Sequence, residues 1–157
     1  MKKTAILGLV FLISLLGCKE TQKEKTTNPE QTTLENREDA QGDQNNWMSQ
    51  MNLDNGTKWN ANIETTEGIE AMSARIAKDE SISIKHYKKL AADLNELKNN
   101  VIEECTMEGK SHDNLQVFLV PLEDKIEALS EVNSVHEGAL LTNDIREHLE
   151  VYNNYFN

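Results

Sequence analysis

Residues 86–105 read HYKKLAADLNELKNNVIEEC, and their apolar members are Tyr87, Leu90, Ala91, Leu94, Leu97, Val101, Ile102 and Cys105. Steps of three and four hold side chains on one face of an α-helix, whereas a half-buried strand requires steps of two. This is the longest amphipathic run in the chain. Ser81 or Ser83 stands where an N-cap belongs. Gly109 lies beyond the run and is suited to stop it.

The same spacing continues on both sides. Upstream, Ile69, Met72 and Ile76 predict a first helix, capped by Thr65 or Thr66 and ending near Asp79. Downstream, Ser111 can cap a third helix carrying Leu115, Phe118, Leu119, Leu122, Ile126, Leu129 and Val132. Pro121 falls inside it, removes one backbone donor and crowds the preceding turn, which predicts a kink or a break. Leu141, Ile145, Leu149, Tyr152 and Phe156 mark a fourth helix. Nothing alternates like a strand, and short connections make neighbouring helices antiparallel. The expected fold is all-α, an antiparallel four-helix bundle over residues 57–157.

In front of the bundle, residues 18–56 read as a polar tether too poor in apolar side chains to order itself. Its end is a transition holding Trp47, Met48, Met51 and Leu53, then the turn signal Asn55-Gly56. Trp59 is placed to dock the incoming chain on the bundle.

Residues 1–17 have the layout of a secretory signal peptide. Lys2 and Lys3 precede an apolar run over residues 5–16, and Gly17 supplies the small residue at the cleavage position. The run is well short of the ~20 residues that span a bilayer. Its ending, Leu15-Leu16-Gly17-Cys18, resembles the lipobox of bacterial lipoproteins. The resemblance implies a diacylglyceryl group on the Cys18 thiol and cleavage after Gly17. It also implies a chain lipid-anchored to a membrane of the cell envelope, with its domain outside the cytoplasm. The competing readings are an ordinary cleaved signal or an uncleaved anchor.

Charge narrows the partners. The chain carries 16 Lys+Arg against 27 Asp+Glu, a net −11. Phosphates of a nucleic acid would be repelled, and a surface helix held by anionic headgroups is disfavoured. Of the two cysteines, Cys18 is taken up by lipid in the lipoprotein reading, which leaves Cys105 without a partner in the chain.

The bundle predicts which residues meet. His86 lies about 28 Å from Cys105 along the second helix, and His136 joins it at that far end. His148, about 18 Å into the fourth helix, returns toward the Cys105 end. That end gathers Glu104, Cys105, Met107, Glu108, His112 and Asp113. Thiolate, thioether and imidazole suit Cu(I) or Zn(II), so Cys105, Met107 and His112 are the candidate metal ligands. Cys105 and Met107 are two apart, and they converge only if the helix unwinds before Gly109. A closed zinc site would need further donors, and neither Cys-x-x-Cys nor His-x-x-x-His occurs. The competing reading makes Cys105 a buried continuation of the core stripe.

The segment from Glu104 to Pro121, with Cys105-Thr106-Met107, Gly109 and His112-Asp113, resembles small exported helical proteins of the Bacteroidetes group. Their pattern is Cys-Thr-Met-x-Gly-x-x-His-Asp-x-Leu-His, and the likeness covers about residues 55–157. Gln116 stands where the pattern has its second histidine. The resemblance implies the helical fold and export, and it carries no activity.

A thiol enzyme would pair Cys105 with His112 or His148 as base, but a stripe cysteine is expected to be buried rather than activated. There is no glycine-rich phosphate loop. The expected function is therefore a membrane-anchored, non-catalytic binding module with copper or zinc as the ion to consider. The alternatives are a structural or protein-interaction lipoprotein with a buried Cys105 and, more remotely, a thiol-dependent enzyme.

Overall fold

A computed structural model describes residues 46–157. The expected signal peptide, Cys18 and the first part of the expected tether lie outside the described residues. The protein is an all-α four-helix bundle. Helices α1 (Ile63–Ala77), α2 (Ile84–Glu104), α3 (Gly109–Glu131) and α4 (Val135–Tyr155) follow a 3-10 turn, Asn46–Gln50. Each helix packs on the next, and α4 packs back on α1 to close the ring. Among the described residues, β-structure is limited to two isolated bridges.

The helix ends show where local chemistry outweighed the apolar pattern. Ser83 caps α2, its Oγ accepting from the His86 N–H at 3.3 Å. Helix α2 then stops at Glu104, because Cys105 is already extended at φ −68° and ψ 119°. Gly109 does not stop α2; it opens α3 in the left-handed region at φ 61°, which glycine enters without steric penalty. Glu108, not Ser111, occupies the cap position of α3, and Ser111 Oγ donates back to the Glu108 carbonyl at 3.0 Å.

The first helix also begins earlier than its threonines suggest. Asn62 stands at the cap of α1. Thr65 is inside the helix and buried, its hydroxyl donating to Asn62 Oδ1 at 2.7 Å. Ser134 caps α4 by accepting from the Glu137 N–H at 3.1 Å, while Glu137 Oε2 accepts from the Asn133 N–H at 2.9 Å. Such reciprocal capping satisfies donors that the helix itself cannot.

The apolar stripes meet in one core. Ile69, Met72, Leu90, Leu94, Leu115, Phe118, Leu122, Ile145 and Leu149 are buried there. Ile102 departs from expectation and is 48 % exposed, and Cys105 is half-buried. Helices α1 and α2 approach closely at Gly68, where an added Cβ would lie 2.3 Å from Val101 Cγ2. At Gly138 it would lie 2.4 Å from Tyr87 Cδ2, which sets the start of α4 beside the start of α2. Helix α3 runs through Pro121 without breaking in two.

The packed body begins before residue 57. The 3-10 turn packs on α3, and Trp47 and Met51 are buried in the common core. A stretch that composition assigns to the end of the tether thus contributes core side chains. Trp59 docks the chain at the other end of this segment. Its N–H donates to the Tyr155 carbonyl at 2.7 Å, and its carbonyl accepts from the Asn157 N–H at 3.0 Å.

Candidate functional site

The loop between α2 and α3 carries two of the three candidate ligands. Asn62 ties it to the start of α1. Its Nδ2 donates to the Glu104 carbonyl at 3.0 Å, and its Oδ1 accepts from the Thr106 N–H at 3.3 Å. The condition for Cys105 and Met107 to converge is met, since α2 ends before both. Cys105 is extended, and both side chains are half-buried against the core.

His112 lies in the first turn of α3 and is also half-buried. Its Nε2 is 3.3 Å from the Gln116 Nε2, one turn along the same helix. The amide that replaces the expected second histidine therefore occupies the His112 ring nitrogen. Among the described residues, no three His, Cys, Asp or Glu side chains are grouped to hold a metal ion. No hydrogen bond joins Cys105 to His112 or to His148 among them.

Tyr152 closes the same end from α4. Its hydroxyl lies 3.0 Å from Thr66 Oγ1 on α1. Burial raises the phenol above its usual range, the Thr66 contact opposes this, and negative charge on Cys105 or Glu70 adds smaller raises.

His148 has a different setting from the one its spacing suggested. It is 2 % exposed, and its ring stacks on the Trp47 indole at 4.1 Å between centroids and 22° between planes. Phe118 packs tilted at 4.8 Å. The Nε2 is 2.9 Å from the Phe118 carbonyl, so Nε2–H donates and the neutral ring keeps its lone pair on Nδ1.

Burial pushes the His148 imidazole down to about 4, against the favourable Phe118 bond. Lys125 lowers it further and Asp144 raises it, and these two form an ion pair at 2.9 Å. His148 Nδ1 and the Trp47 indole N–H are both buried without a hydrogen-bond partner. The site was missed because nothing upstream of residue 57 was expected in the core.

Two surface clefts border these groups. One, of about 470 Å³, lies between the 3-10 turn, α3 and α4 and is lined by Asn46, Trp47, Pro121, Ala128 and Leu141. The other, of about 320 Å³, is lined by Asn52, Trp59, Lys110, Asp113 and Asn114 beside the start of α3. Among the described residues, no helix is long and apolar enough to cross a membrane. No family model matches the chain, and no curated protein or solved structure gives a significant match.

Proposed function

We propose that this protein is a bacterial envelope lipoprotein, anchored through acylated Cys18, whose helical bundle serves as a non-catalytic binding module. The observation that carries the reading is the run Leu15-Leu16-Gly17-Cys18 behind a basic and apolar leader. The non-catalytic part of the reading rests on the sequence expectation that a cysteine continuing the core stripe packs rather than reacts. Metabolic labelling with an alkyne fatty acid in a bacterial host tests the anchor. Label is expected on the wild-type chain and absent from Cys18→Ser, which should also leave the membrane fraction. Label that persists in Cys18→Ser refutes the assignment.

The extended loop favours one particular ligand class. Cys105 and Met107 lie two apart in one loop, both half-buried against the core, and offer two sulfur donors, a combination that suits Cu(I) over harder ions. Native mass spectrometry of the chain titrated with Cu(I) and with Zn(II) reads this directly. One equivalent of Cu(I) is expected on the wild type, with loss in Cys105→Ser and weakening in His112→Ala. Equal weak uptake by all three eliminates the metal site and leaves a protein-interaction lipoprotein with a packed Cys105.

A further inference from the structure

The 3-10 turn sits on α3 as a narrow ridge. Two clefts flank it and share Trp47, Gln50 and Pro121 as walls, one of about 470 Å³ and one of about 320 Å³ that also touches Val117 and Val120. The turn is held down by two buried side chains, Trp47 and Met51. Its other bonds are internal: the Met51 N–H donates to the Met48 carbonyl at 3.2 Å, and Ser49 Oγ donates to the Asn46 carbonyl at 2.6 Å. Among the described residues, the first hydrogen bond from this segment to a helix is at Asn52, whose N–H donates to Asn114 Oδ1 at 2.8 Å. The Asn52 carbonyl accepts from the Trp59 indole N–H. Residues 46–51 can therefore leave α3 as a unit, hinged at Asn52.

What the turn covers is His148. The imidazole and the Trp47 indole are stacked at 4.1 Å, and His148 Nδ1 and Trp47 Nε1 are both buried without a partner. Each has lost water and gained no replacement, a cost that lifting the turn removes. Because Nε2–H is held by the Phe118 carbonyl, an incoming proton from solvent has to bind Nδ1. There it creates a charged donor beneath the indole, facing no acceptor. The indole face favours a cation, but that contact is weaker than the hydration a buried charge gives up. The charged groups acting on His148 are Lys125 from α3 and Asp144 from α4, which oppose one another and are paired at 2.9 Å. The turn itself, Asn-Trp-Met-Ser-Gln, brings no titratable side chain. Tyr152, one turn farther along α4, has its phenol raised by burial and stays neutral in acid.

We propose that the 3-10 turn is an acid-released latch: protonation of His148 at Nδ1 lifts residues 46–51 off α3 while the four helices stay packed. Lifting returns water to Nδ1 and to the Trp47 N–H. It also merges the two flanking clefts into one trough floored by Phe118 and the imidazolium. The latch is shut at neutral pH, where the ring is uncharged and the burial of Trp47 prevails.

Hydrogen exchange of the Trp47 indole N–H, read by NMR on the full chain in a nonionic detergent, tests this. That N–H has no acceptor, so its protection reports the cover alone. A ring that titrates at about 4 when covered and at the ordinary 6.5 when open should lose protection roughly twentyfold between pH 7 and pH 5, after correction for intrinsic rates. The amides of Leu94 and Ile145, in the middle of α2 and α4, should keep theirs. In His148→Gln the Trp47 protection should no longer depend on pH. Equal Trp47 protection at the two pH values overturns the proposal. So does a loss shared by Leu94 and Ile145, which is unfolding of the bundle, or a loss that persists in His148→Gln. Should that variant fail to fold, the wild-type His148 ring resonances decide: they should titrate with the midpoint at which Trp47 loses protection, and a different midpoint overturns the latch.

Discussion

His148 shows how a single side chain binds distant parts of the chain together. It is held by the Phe118 carbonyl, covered by Trp47 and kept neutral by burial. Its folded pKa, about 4, lies below the ordinary 6.5. The unfolded chain therefore takes up a proton first as pH falls. The stability that His148 contributes is complete above about pH 6.5 and is lost progressively toward pH 4. The loss amounts to at most about 3 kcal/mol at 1.36 kcal/mol per unit. Urea unfolding of wild type and His148→Gln at pH 7 and pH 4.5 checks this. The difference between the two proteins should shrink at the lower pH, and a difference that is constant with pH would show that the imidazole does not titrate with unfolding. The helical period placed His148 on a helix face; its partner and its cover come from α3 and from the 3-10 turn.

At the scale of elements, the connections matter more than the helices they join. The apolar spacing located all four helices, because an amphipathic face has to be buried and its period is written in the residues. The caps were less legible. Asn62 outcompetes Thr65 and Thr66, and Gly109 begins a helix rather than ending one. The first is tied to contacts across the bundle, the second to the left-handed backbone of Gly109. Asn62 spans from α1 to the Glu104 carbonyl and the Thr106 N–H, and so holds the loop bearing Cys105 and Met107. Asn62→Ala should cost about 1–2 kcal/mol through the lost side-chain bonds to the loop. It should also raise the rate at which a thiol reagent labels Cys105 severalfold under native conditions. A labelling rate equal to that of wild type would show that the loop keeps its place without Asn62.

For the whole molecule, the folded unit is larger than its helical pattern. Trp47 and Met51 fill the core from a segment with no periodicity of its own. Buried tryptophan truncations cost about 3–5 kcal/mol in a core. A chain starting at residue 57 should therefore unfold at clearly lower urea than one starting at residue 46, and Trp47→Ala in the longer chain should account for most of the difference. Equal midpoints would show that the segment only rests on the surface. Period, charge and the leader motif are local properties, so the residues alone specified four helices, an acidic surface and an expected lipid anchor. The burial of Trp47, the neutral His148 beneath it and the packing of Cys105 and Met107 against the core are relations between segments distant in the chain. They arise when the helices pack, because only packing decides which polar groups lose water and which partners replace it.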